Sequence, residues 1–219
     1  VLRPIIDGLT PNRRCALGQD FGRDGNLSGI WILQDEGAGR WATRLIIELR
    51  RLPFDCQQLI TFWIIDHLPL FWAAKFDARG NGQSHAEAAQ QRYGLVRVEG
   101  VKATPECYAT HFPPYRAAYE DRSIVVPEGE DIIADHRLVE LVKGRPTMAD
   151  REVKGSDGEA RHGDLAIAGL LAWSATREGV VPAEFASAGL TRTSLAGLAG
   201  DAETSWSAGD TARISWMGY

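Results

Sequence analysis

Apolar residues in this chain fall in short, dense runs separated by glycine, proline and acidic residues, and the period of those runs predicts an α/β fold. Residues 14–22 read as a strand, 28–33 as a second and 43–49 as a third. Gly22 and Gly25 give backbone freedom to the first connection, and Glu36-Gly37-Ala38-Gly39 reads as a hairpin turn. Sequential strands with short turns predict an antiparallel meander. Pro53 suits the first turn of a helix, and Cys56, Leu59, Ile60, Trp63 and Ile64 then share one helical face. Residues 70–76 are almost continuously apolar, as in a strand covered on both faces. A helix over 83–93 and a strand over 95–98 complete the order β-β-β-α-β-α-β. Beyond it, 105–121 reads as a helix broken at Pro113-Pro114, 123–126 as a strand, 131–142 as a helix and 147–153 as a strand. Asp164 opens an apolar helix running through Trp173.

Composition sets boundaries on this pattern. Residues 1–13, with two prolines, read as a linker remnant, and 14–178 as one domain. Residues 179–219 turn rich in Ala, Gly, Ser and Thr and read as an extended or partly ordered tail. With 44% hydrophobic and 24% charged residues, the 219-residue chain has the make-up of a globular domain with a sizeable core. Its net charge of −5 excludes an overall basic field, so any nucleic-acid contact must be local. Cys15, Cys56 and Cys107 are odd in number and form no CxxC pair, which argues against a disulfide framework or zinc site and for a reducing cytosol. The apolar runs are far shorter than a membrane span.

Three aspartates stand out by position. Asp20 and Asp77 each end an apolar strand, and Asp164 begins an apolar helix. In the strand order above, the first and fourth strands can lie side by side, which would put Asp20 and Asp77 at one sheet edge. Two adjacent carboxylates repel, and a divalent cation relieves that repulsion. Each aspartate alone reads as well as a turn former or helix cap. It is the three together, in this order, that point to a metal site.

Several segments add a family resemblance. Residues 18–24 and 30–33, the strand-to-helix junction 49–58, the acidic segment 76–82, and the segments 117–122 and 157–166 resemble, in that order, the nuclease domain of phage large terminase subunits. The Mu-like phage and prophage group is particularly similar. The resemblance covers roughly residues 14–176 and implies a ribonuclease-H-like fold: a mixed sheet, antiparallel meander plus parallel strands, flanked by helices. It implies a divalent-metal-dependent endonuclease that cuts concatemeric phage DNA in the cytoplasm of the bacterial host. Asp20, Asp77 and Asp164 match the family's acidic triad and would hold two Mg²⁺ or Mn²⁺ ions about 4 Å apart. Asp157 and Asp24 are candidate further ligands, and His162 a candidate to orient water or touch phosphate. Arg23, Arg79, Lys102, Lys154 and Arg161 are candidates for DNA contact. The chain has no GxxxxGK[ST] loop, so the family's N-terminal ATPase half is absent from it. That half, the portal, the small terminase subunit and double-stranded phage DNA are the implied partners, with no membrane.

Three rival readings remain open on sequence. Another ribonuclease-H-like nuclease, such as a junction resolvase, shares the acidic logic. Asp20-Phe21-Gly22 fits weakly the phosphate hairpin of sugar-kinase or actin-like ATPases, though the chain has room for only one of their two lobes. A docking module for the packaging motor or portal, weak or inactive alone, would explain the tail.

Overall fold

The computed structural model describes residues 1–22, 27–177 and, as backbone, the strand 211–216. Arg23, Asp24 and most of the expected tail lie outside the described residues. In chain order come α1 (Leu2–Asp7), β1 (Cys15–Asp20), β2 (Ser28–Gly37), β3 (Arg40–Arg50), α2 (Phe54–His67), β4 (Phe71–Asp77), α3 (Gly82–Tyr93) and β5 (Val98–Val101). There follow α4 (Pro105–Glu120), β6 (Ile124–Val125), α5 (Glu130–His136), β7 (Val139–Val142), β8 (Arg145–Met148), β9 (Val153–Lys154), β10 (Ala160–Arg161), α6 (Asp164–Arg177) and β11 (Thr211–Trp216).

The expected meander and crossovers are present. The sheet runs β11-β3-β2-β1-β4-β5, with β6 beside β3 at Trp41 and Ala42. β1, β2 and β3 pair antiparallel, while β4 lies parallel to β1 and β5 parallel to β4. Strand alternation separates two cores. Leu17, Ile30, Ile32 and Phe76 face α2 and α3, joined by Ile6 and Leu9 from the amino-terminal segment. Ala16, Trp31 and Ala73 face α4 and α6.

α6 is the central piece of the second core. Every residue from Asp164 to Ala175 is buried, as expected of a helix apolar on all sides. It meets the sheet at Gly18, where a Cβ would stand 2.1 Å from the Ala168 carbonyl oxygen and 2.2 Å from the Ala172 nitrogen. Only a glycine permits that approach.

Several elements differ from expectation, each for a physical reason. Residues 1–13 carry a short helix, because Ile6 and Leu9 find apolar cover under the sheet. α4 runs unbroken through Pro113 and Pro114. Both prolines face solvent, while Tyr108, Phe112, Tyr115 and Ala118 bury one face along the whole helix. The helix expected over 131–142 ends at His136, and residues 139–148 form a hairpin instead. Lys143 and Gly144 both take positive φ (50° and 77°), the geometry of a two-residue turn. β5 begins three residues later than expected, leaving Leu95 and Val96 exposed. The strand expected over 147–153 is split between β8 and β9. α2 is rotated from its predicted face: Leu59 is 65% exposed, while Gln57 and Thr61 point inward. The Thr61 hydroxyl donates to Gln19 Oε1 at 2.8 Å, so this buried polar pair sets the helix's orientation.

Candidate functional site

Asp20 ends β1 and Asp77 ends β4. The strands are parallel, with Gly18 opposite Lys75 and Gln19 opposite Phe76. The same register sets the two aspartates side by side on the face that α6 covers. Across the meander, Asp20 stands opposite Gly29, and Gly29 opposite Glu48. A Cβ on Gly29 would lie 3.3 Å from the Asp164 carbonyl oxygen and 3.1 Å from Leu165 Cδ2. Bare Gly29 is therefore where the start of α6 descends on the sheet and brings Asp164 to the pair.

All three carboxylates are buried, Asp20 at 5%, Asp77 at 2% and Asp164 at 7% exposure. Burial, then the negative charges of Asp164 and Asp77, push Asp20 well above the ordinary carboxylate range. Burial and the neighbouring Asp135 push Asp164 up to about 6. Among the described residues, Asp20 Oδ1 is buried with no hydrogen-bond partner. Asp77 is better satisfied. Its Oδ1 accepts from the backbone N–H groups of Arg79 (3.1 Å) and Ala103 (3.4 Å), and Arg79 Nη2 lies 2.7 Å from its Oδ2. Among the described residues, no three acidic, histidine or cysteine side chains are arranged to hold an ion as they stand; Asp77 carries a guanidinium instead. The donor set nonetheless suits a hard divalent cation: oxygen ligands only, mutually repelling, with one oxygen that no hydrogen bond reaches among the described residues.

A buried ion network supports Asp164. Arg161 is 0% exposed. Its Nε is 2.9 Å from Asp135 Oδ1, its Nη1 and Nη2 each donate to Glu48 at 3.2 Å, and Asp131 lies 3.8 Å away. Asp135 Oδ2 also accepts from the Leu165 N–H at 2.9 Å, capping the start of α6. Arg161 is thus corrected from a DNA contact to an internal cation, since a guanidinium committed to these carboxylates cannot reach a phosphate. Sequence reading missed Glu48, Asp131 and Asp135. The available signals were an acid within the apolar run 45–49 and two acids four apart on one helix.

The remaining candidates scatter around this centre. Asp157 faces Arg50 at 3.4 Å and accepts from the Glu159 N–H, so it is occupied away from the triad. His162 Nε2 lies 3.5 Å from Glu152, and its backbone N–H donates to Asp164 Oδ2 at 3.3 Å. Lys102 and Lys154 are exposed. Arg79 lies at the site itself, and Arg23 and Asp24 fall outside the described residues. Tyr108, also missed, sits close enough for its phenol to feel Arg79, Asp20 and Asp77, and burial pushes it up to about 12.

No family model matches the chain. It is 36% identical over 173 residues to the Mu-like prophage FluMu protein gp28 of Haemophilus influenzae, covering 78% of this chain and 34% of that protein. It is 33% identical over 172 residues to the "Probable terminase, large subunit gp28" of Escherichia phage Mu, covering 78% of this chain and 31% of that protein. The chain therefore spans about a third of the length of these relatives. The large terminase nuclease of thermophilic phage G20c superposes with a TM-score of 0.53 at 15% identity, over 75% of this chain and 83% of that one. The same nuclease with bound magnesium gives 0.56 at 17% identity, over 75% and 82%. The fold is that of these nucleases, a ribonuclease-H-like mixed sheet flanked by helices.

Proposed function

Since the chain is a homologue of the large terminase subunit gp28 of Mu-like phages, we propose that it is that subunit's divalent-metal-dependent nuclease domain. One observation supports the reading: three buried aspartates come from separate elements, the charges of Asp164 and Asp77 reach Asp20, and among the described residues no hydrogen bond reaches Asp20 Oδ1. Asp20, Asp77 and Asp164 would hold Mg²⁺ or Mn²⁺. When bound, a pair of such ions acidifies water and offsets the charge that builds on the phosphate. The chain's own part is positional. β1 and β4 fix Asp20 and Asp77 in register, and the Arg161 network holds the start of α6 and with it Asp164. The backbone N–H groups of Arg79 and Ala103 aim the Asp77 carboxylate. Arg79, Lys102, Lys154 and, outside the described residues, Arg23 would face the DNA backbone.

The substrate is concatemeric double-stranded phage DNA, cut in the bacterial cytoplasm at the start and end of packaging. The working assembly adds the ATPase half, the portal and the small terminase subunit. Plasmid nicking and linearisation with Mg²⁺, Mn²⁺ or EDTA, beside Asp77→Ala, tests the reading. Cutting that needs the metal and disappears in the variant is the expected result. A folded protein inert with both metals would reverse it.

One observation favours docking as a second role. A cleft of ≈ 740 Å³ between α4, α5 and the β7–β8 hairpin is lined mainly by apolar side chains, Phe112, Ile132, Val139 and Leu141 among them. It holds none of the three aspartates, and its chemistry suits a protein surface more than a phosphate.

A further inference from the structure

We propose that Arg79 is an exchangeable counter-ion, bound to Asp77 until a divalent cation takes that carboxylate, and then free to bind a phosphate of the DNA. The proposal rests on the nuclease reading above and adds to it an order of events.

The geometry at Asp77 carries the argument. Arg79 Nε lies 3.1 Å from Oδ1 and 2.8 Å from Oδ2, and Nη2 lies 2.7 Å from Oδ2. The guanidinium therefore grips both oxygens. A cation bound to either oxygen would sit about 2.0–2.6 Å from it. A cation there would compete with the guanidinium for the same oxygens and repel its charge, so loading the site through Asp77 would displace the Arg79 side chain.

Asp77 is built to survive the exchange. Two of its hydrogen bonds come from backbone N–H groups, of Arg79 itself and of Ala103, and neither depends on the guanidinium. The carboxylate stays aimed when the side chain leaves. Arg79 is also placed to leave. Its side chain is 42% exposed, against 3% for Asp77 and 7% for Asp20, so the guanidinium stands between the acids and solvent.

The pairing is also incomplete in a telling way. Nη2 stops 4.0 Å from Asp20 Oδ1, a long ion pair beyond hydrogen-bond reach, and among the described residues no hydrogen bond reaches that oxygen. One guanidinium satisfies one carboxylate of three. A small dication at the same place answers more of the charge, which supplies the drive for exchange. The displaced guanidinium is a planar fork matched to phosphate oxygens. Cation loading therefore creates a DNA contact, and by reciprocity DNA favours cation loading.

The test is Mn²⁺ titration of the DNA-free chain, read from the electron paramagnetic resonance of free ion. Wild type is compared with Arg79→Gln, Arg79→Lys, Lys102→Gln and Asp20→Asn. Arg79→Gln should bind Mn²⁺ about three- to tenfold tighter, the scale of releasing a half-exposed ion pair. Arg79→Lys keeps the charge but loses the fork and should fall between Gln and wild type. Lys102→Gln removes a nearby charge that does not touch Asp77 and should change affinity less than about twofold. Fluorescence anisotropy of a labelled duplex supplies the second arm. Arg79→Gln should match wild type in EDTA and bind more weakly in Ca²⁺. Mn²⁺ binding that is lost in Asp20→Asn but unchanged or weaker in Arg79→Gln overturns the exchange alone. An equal gain in Lys102→Gln also overturns it, because the effect would then be one of general field. Absence of saturable Mn²⁺ binding in every variant overturns the metal reading and the exchange with it.

Discussion

At the scale of single residues, the site is held in a state of deliberate discomfort. Asp20 sits in a buried position with two acids for neighbours and no donor on Oδ1. Asp20→Asn keeps the shape and removes the charge. We expect it to stabilise the metal-free protein at pH 8 by about 1 kcal/mol or more while abolishing cleavage. Thermal melting in EDTA beside a plasmid assay checks both halves, and a fall in melting temperature would contradict the account. Asp164 gives a pH signature. Its folded pKa of about 6 lies above the ordinary 3.8, so the folded chain holds this proton more tightly than the unfolded chain. The stability it contributes is complete below the unfolded value and is lost as pH rises through the folded one. Melting temperature in EDTA should therefore drop between about pH 4 and pH 7, more steeply in wild type than in Asp164→Asn. Added Mg²⁺ should restore it at the alkaline end.

At the scale of elements, what matters is how α6 meets the sheet. Gly18→Ala drives a Cβ into the backbone of α6, which cannot step aside, and should cost about 3 kcal/mol or more. Gly169→Ala meets only side chains, the Tyr115 hydroxyl at 2.4 Å and Trp31 Cε3 at 3.3 Å, and should cost less. Urea titration of the two variants decides this, and equal losses would mean the α6–sheet contact is softer than described. Arg161→Met leaves Glu48 and Asp135 buried without their cation. A loss of about 3–5 kcal/mol is expected, together with loosening of the α6 start. The same scale shows what the sequence made readable. Apolar runs and glycine turns located β1 to β4, and one aspartate at each of three element ends singled out the candidate triad. Residues 139–142 read as the end of a helix because their apolar spacing suits either period, and the Lys143-Gly144 turn that makes them a strand lies just beyond, its signal a backbone angle and not an apolar period. Arg161 read as a surface charge because nothing local to it announces the acids that enclose it. They come from β3 and α5, more than twenty residues away in sequence.

At the scale of the whole molecule, the chain carries a net negative charge, and a few of the cations named among the described residues are exposed. With a net charge of −5 and Arg79, Lys102 and Lys154 as the contacts proposed among the described residues, DNA binding should be weak and shallow in salt dependence. A slope of log K against log salt of about −2 to −3 is expected in Ca²⁺, from about three phosphates neutralised. A slope far steeper would demand cations beyond these three. The relatives are about three times longer than the matched segment, so on the proposed function they have further surface on which DNA would be held. The burial of α6 has a genetic consequence. A search for cleavage-dead alleles would return Gly18, Gly29, Asp135 and Arg161 alongside the three aspartates, and activity alone would not separate the groups. Temperature would: alleles at the packing positions should regain cutting at permissive growth temperatures, whereas alleles of the aspartates should stay dead at every temperature.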